Sequence, residues 1–168
     1  MRIVKSRPNA QPTSRVIGEV CHFIGLMQFL TGAVPTRVYA EAIASRDHEV
    51  VDQDPVFITL RFADGSNGSI AYLAEGDKTM SKERVEIFGG GKTFVLEDFR
   101  SATLHSDGKE KRLKLRSQDK GQANEVREVC RVVLEGGPAP IDLKDLAATT
   151  RATFRIMESL RTGLPADV

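Results

Sequence analysis

The hydrophobic period changes twice along this chain, and that change limits the possible folds more than any other feature. Between about residues 36 and 116 apolar side chains recur at every second position within short segments separated by polar turns. In DPVFITLRFADGS, Val56, Ile58, Leu60 and Phe62 alternate with Phe57, Thr59 and Arg61, the signature of a strand with one buried face. The turn residues Asp64, Gly65, Asn67 and Gly68 lead into a second strand, GSIAYLAE. TRVYAEAIA precedes both. VEIFGGGKTFVLEDF reads as a hairpin turning at Gly89, Gly90 and Gly91, and SATLHSDGKEKRLKLR as another turning at Asp107-Gly108. Short turns join antiparallel neighbours, so six or seven strands should form an open, mostly antiparallel sheet.

On both sides of this region the spacing is helical. Residues 15–31 carry Val16, Val20, Phe23, Met27 and Leu30 as one stripe, with Ser14 as N-cap and Gly32 past the end. GQANEVREVCRVVLEGG places Val126, Val129, Cys130, Val133 and Leu134 on one face. The last helix starts at Asp142, with Ile141 and Leu146 placed as a hydrophobic staple, and stops at Gly163 before Pro165. Strands bracketed by helices imply an α+β domain with helices on one face of the sheet. Residues 1–14, polar and holding Pro8 and Pro12, read as a flexible leader, and 15–168 as the domain.

At 168 residues and a net charge of +1, the chain has one core's worth of sequence and no global field for nucleic acid or an anionic membrane. No apolar run reaches the 18 residues or more of a membrane-spanning helix. Cys21 and Cys130 sit in apolar helical patterns and are expected as buried thiols in a reducing, cytoplasmic setting.

Most apparent motifs have a plainer reading. GGGKT resembles the end of a phosphate-binding loop, but position 86 is Glu86 where that motif needs glycine, and a strand follows where it needs a helix. No G-x-G-x-x-G follows a strand, so no dinucleotide-binding unit is visible and no cofactor is expected on this chain alone. KEKRLKLR alternates basic residues with Leu113 and Leu115 and reads as a half-buried, charged strand, without aromatic residues for base stacking. His22, His48 and His105 are scattered and share no metal-ligand spacing.

His22 stands apart. It lies off the apolar stripe of the first helix, with Glu19 at i−3, Gly18 at i−4 and Gly25 at i+3. Interior helix glycines cost about 0.5–1 kcal/mol relative to alanine. They leave room for a ligand beside an acid–imidazole pair. They equally suit tight packing on the sheet, with His22 hydrogen-bonded in the interior. Composition and spacing leave both readings open.

Four stretches, GEVCHFI (18–24), GAVPTRVYAEA (32–42), ADGSNGSIAYLAEGDKTMSKERVEIFGGGKTFVLEDFR (63–100) and ATTRATFRIMESLRTG (148–163), resemble the C-terminal domain of Gfo/Idh/MocA oxidoreductases, in the branch linked to polysaccharide and sugar metabolism. The resemblance implies a missing N-terminal Rossmann domain binding NAD or NADP, a sugar-like substrate, and a homodimer or larger assembly through the open sheet face. It also implies that the histidine matching His22 moves a proton to or from a substrate hydroxyl, which suits an imidazole near neutral pH. Glu19 would orient it, while Lys78, Gly18 and Gly25 would line the substrate pocket.

Three departures qualify that picture. The Rossmann domain and its lysine are absent, Gly18 with Glu19 replaces an aspartate four before the histidine, and Gly25 replaces an aspartate three after it. The expected function is the substrate-binding and dimerisation domain of an NAD(P)-dependent sugar or polyol oxidoreductase, inactive alone. The alternative is a non-enzymatic sugar-binding or assembly module derived from one. No spacing ranks a polyol, an aldose or a nucleotide-linked sugar as substrate.

Overall fold

The computed structural model describes residues 1–6, 16–43, 55–73, 76–77 and 79–168, and the backbone alone for 2–6. Ser14, His48 and Lys78 therefore lie outside the described residues. The elements are β1 (Arg2–Ser6), a π-helical turn (Val16–Val20), α1 (Cys21–Thr31), β2 (Pro35–Ala42), β3 (Val56–Phe62), β4 (Asn67–Leu73), β5 (Glu83–Gly89), β6 (Lys92–Glu97), β7 (Ser101–Ser106), β8 (Lys109–Lys114), α2 (Gln122–Glu135), α3 (Leu143–Thr162) and β9 (Ala166–Asp167). The fold is α+β with an open, mostly antiparallel sheet, as the change of period implies.

That sheet has nine strands in the order β8-β7-β6-β5-β1-β4-β3-β2-β9, more than the six or seven expected. The seven expected strands are β2 to β8. The two additions come from the chain ends. Residues 2–6, read above as part of a leader, form β1 between β4 and β5, parallel to the first and antiparallel to the second. A five-residue strand joined by a parallel pairing leaves no hairpin signature in the sequence. The two residues of β9 extend the edge beside β2.

Hairpin turns are where glycine was expected, at Gly90-Gly91 and Asp107-Gly108, and all four residues have positive φ. A third turn, of three residues from Asp98 to Arg100, does the same with no glycine, Asp98 and Phe99 both at φ 51°. The surrounding chain holds it. Gln118 Nε2 donates to the Asp98 carbonyl (2.9 Å), the Asp119 amide donates to the Phe99 carbonyl (3.1 Å), and the Lys120 ammonium lies 5.6 Å from the Phe99 ring centre. Lys120 also pairs with buried Glu83 (2.8 Å), so the approach to α2 is tied to the corner of the sheet.

The core lies between α1, α3 and one face of β2–β5. Val56, Ile58, Leu60 and Phe62 point into it, as their alternation implies, with Val38, Ala40, Ile70, Tyr72 and Val85. Val16, Val20, Phe23, Ile24 and Met27 meet them from the first helical segment; Leu30, placed in the same stripe above, is instead exposed beyond the sheet. From α3 come Ala148, Ala152 and Ile156, spaced four apart on one face; the two alanines leave room for close approach. Ser159 pins this helix to β2: its Oγ accepts from the Ala40 amide (3.0 Å) and donates to the Leu164 carbonyl (2.7 Å).

One glycine is demanded by packing. A Cβ on Gly68 would lie 2.5 Å from Met27 Sδ and 3.6 Å from Phe62 Cε2, so α1 rests on bare backbone there.

The amphipathic reading of α2 gave the right helix but no partner for it. None of its residues is buried, and Val126, Val133, Leu134 and Cys130 are exposed. Periodicity shows that a face is apolar, not what covers it. The strand β8 is likewise exposed throughout, not half-buried, because it forms the sheet edge.

Replacing Gly68 by alanine should force Met27 aside and lower stability by about 1–3 kcal/mol in urea denaturation, with an unchanged denaturant slope. An unaltered midpoint would show that α1 does not depend on that close approach.

Candidate functional site

Ionisable, polar and apolar groups come together in a cleft of about 790 Å³ between α1 and the start of α3. From α1 come Cys21, His22, Gly25, Gln28 and Phe29; Ile141, Asp142, Asp145, Leu146, Thr149 and Thr150 face them. His22 is exposed into this space. It is not the interior, hydrogen-bonded histidine of the packing alternative. The apolar stripe of α1 turns Phe23, Ile24 and Met27 toward the sheet, which leaves His22 and Gly25 on the cleft side.

The floor is a hydrogen-bonded clamp. Gln28 is buried; its Nε2 donates to the Asp145 carbonyl (3.3 Å) and its Oε1 accepts from Thr149 Oγ1 (3.2 Å). Sequence reasoning missed Gln28, Asp145 and Thr149. The available signal was a lone amide in an otherwise apolar helix; its partners lie more than 100 positions away.

At the mouth, Asp142 caps α3. The Lys144 backbone amide, donating to its carboxylate at 3.1 Å, and then the Lys144 side chain hold that carboxyl below its ordinary value of 3.8. Ile141 and Leu146, placed as a staple, both line the cleft and remain partly exposed.

The remaining predicted site residues are elsewhere. Glu19 belongs to the π-helical turn, where i→i+5 bonding shifts residues from their α-helical positions. Its carboxylate accepts from Tyr72 Oη at 2.9 Å and ties that turn to the end of β4. Gly18 is exposed, with no atom within 4 Å of a Cβ built on it. Neither residue is among those lining the cleft. Lys78 lies outside the described residues. A second hollow, near Arg37, Tyr39, Thr59 and Arg61, holds no histidine, cysteine or carboxylate. His105 is on β7, 3.9 Å from Glu110 and exposed.

The profile of the GFO/IDH/MocA C-terminal domain matches residues 9–95, more than half of the chain. The chain belongs to this family. The GFO/IDH/MocA match includes His22 and Gly25, and the opposite wall of the cleft comes from α3, beyond it. No curated protein sequence matches the chain. Solved structures do, at the level of fold. UDP-N-acetylglucosamine 3-dehydrogenase from Acidithiobacillus ferrooxidans superposes with a TM-score of 0.76 at 16% identity, over 95% of this chain and 53% of its own. Aldose-aldose oxidoreductase from Caulobacter crescentus gives 0.71 at 16% identity, over 99% and 55%. An oxidoreductase domain protein from Kribbella flavida gives 0.74 at 14% identity, over 99% and 59%. The chain thus spans about half the length of these structures.

The Asp142 cap makes a pH prediction. Its folded-state pKa is depressed, so its contribution is present above the unfolded value of 3.8 and is lost as pH falls through the lower folded value. Asp142→Ala should melt at a lower temperature than the parent chain at pH 7, and the gap should close below pH 3.8. A gap independent of pH, followed by circular dichroism, would contradict the assignment.

Proposed function

We propose that this chain is the substrate-binding and dimerisation half of an NAD(P)-dependent oxidoreductase acting on a sugar or polyol, with His22 exchanging a proton with the substrate hydroxyl. The observation that carries this reading is the exposure of His22 into a cleft with both hydroxyl-binding and apolar walls, in a chain of the GFO/IDH/MocA family. Asp142, Asp145, Thr149 and Thr150 offer hydrogen-bond partners to a polyhydroxylated ligand, and Phe29, Ile141 and Leu146 offer its ring an apolar surface. Relatives named for a nucleotide-linked sugar and for aldoses support the sugar class. Glu19 acts as a positioning residue: bonded to Tyr72, it fixes the turn that leads into α1, which carries His22.

The described residues do not fit a dinucleotide. The glycine cluster forms a hairpin turn, and the N-terminus of α3, which opens on the cleft, carries Asp142 and Asp145 where a pyrophosphate would need positive charge. The redox step is therefore not assigned to this chain. A separate dinucleotide-binding domain seated over the cleft would cover Phe29 and Ile141, both exposed. The sheet face away from the helices carries Phe57 and Phe88, both exposed, and a second copy packed there would bury them.

A second reading, a non-enzymatic sugar-binding or assembly module, is favoured by one feature, the glycine at position 25, where the resemblance described above implies an aspartate. Turnover by a form that includes a dinucleotide-binding domain would exclude it.

Calorimetric titration of the 168-residue chain with NADH and NADPH should show no binding tighter than about 1 mM, and a micromolar Kd would overturn the division of labour. Sedimentation should give a dimer or larger species. A monomer at high concentration would remove the dimerisation role.

A further inference from the structure

Gly25 is in the middle of α1 and lines the cleft one turn after His22. Helix stability alone disfavours a glycine there. Packing does not require one either: a Cβ at this position would meet only Thr149 Oγ1, at 4.0 Å, an ordinary contact. Gly68 is the contrast, since its Cβ would collide with Met27. The fold needs Gly68 bare and does not need Gly25 bare.

The polarity of the space beside Gly25 is set by the clamp beneath it. The Asp145 carbonyl can only accept, so the Gln28 amide must turn Nε2 toward it and Oε1 toward Thr149. Oε1 can only accept, so the single Thr149 hydroxyl proton is spent on it. Toward Gly25, Thr149 therefore presents lone pairs. A group entering there must donate a hydrogen bond. Acceptor-only anions are disfavoured further by Asp142 and Asp145 in the same cleft. Leu26 and Leu146, also in the lining, suit a small apolar body next to that donor.

We propose that Gly25 forms a notch in the cleft floor for a ring substituent that joins one hydrogen-bond donor to a small apolar part, an acetamido group fitting that description through its N–H and methyl, with its carbonyl turned to solvent. The notch lies about 4.5 Å along the helix axis from His22. The substituent is therefore carried close to the hydroxyl that His22 serves, and the selected substrates are amino sugars in acylated form. This assignment rests on the reading of the cleft as a sugar site.

The test uses the isotope-labelled 168-residue chain, titrated with N-acetylglucosamine and with glucose while the amide signals of His22, Gly25 and Thr149 are followed by NMR. The parent chain should prefer N-acetylglucosamine. Gly25→Ala should melt about 3 °C higher, because it gains helix propensity without a clash, and its preference for N-acetylglucosamine over glucose should fall about tenfold. Thr149→Val, which keeps the shape but removes the acceptor together with the donor to Gln28, should lose the preference as well, whereas Thr149→Ser, which keeps the hydroxyl and its bond to Gln28, should retain it. A Gly25→Ala chain that melts lower, or keeps the full preference, overturns the notch and leaves the sugar site standing. If neither sugar moves these signals in the parent chain, the sugar site itself fails and the notch falls with it.

Discussion

The seating of α1 on the sheet governs the rest of the structure. The helix comes close enough for Met27 to occupy the space a Gly68 side chain would fill. Four other apolar residues, Val16, Val20, Phe23 and Ile24, are buried with it. At roughly 1.5–3 kcal/mol for each large apolar side chain fully buried, this contact outweighs any single polar interaction in the molecule. It fixes the rotation of the helix. Because the stripe faces the sheet, His22 and Gly25 must face away from it, toward α3. The Gln28 clamp and the Ser159 pin then set where α3 lies, and the cleft is the space left between two helices held on one sheet.

Coverage of the sheet is uneven, and this matters for function. Helices α1 and α3 bury the inner face of β2–β4, whereas α2 is held at its N-terminal approach by Lys120 and buries none of its own residues. The apolar face of α2 is uncovered among the described residues, and Phe29 and Ile141 at the cleft are exposed as well. The chain spans about half of each structure it resembles.

Much of this was legible in the sequence, for local reasons. Alternation placed β3 by its four inward residues, glycine and Asp-Gly pairs placed two hairpin turns, and Asp142, Gly32 and Gly163 marked helix ends through cap chemistry that acts within a few residues. What escaped was non-local. The strand β1 is defined only by its partners in β4 and β5, and the Asp98-Phe99 turn only by the segment holding it. Cys130 was expected buried because its helix is amphipathic, yet burial needs a partner surface. For the site, His22 and Gly25 could be singled out from their spacing. Gln28 and Thr149 could not, because 121 positions separate them and only the packing of two helices joins them. Glu19 lies in the π-helical turn, where its carboxylate accepts from Tyr72, a partner 53 positions away that its spacing to His22 could not reveal.

The account rests on His22 being the group that meets the substrate, and the imidazole signals can report this directly. Two histidines lie on described elements: His22 in the cleft and His105, itself exposed, on β7 in the opposite half of the sheet. Followed by proton NMR across pH 5 to 8, the window in which imidazoles titrate, only the His22 ring should change its titration when a sugar ligand is added, with His105 as an internal reference. A His22 curve that is identical with and without ligand, while the sugar demonstrably binds elsewhere on the chain, would contradict the account.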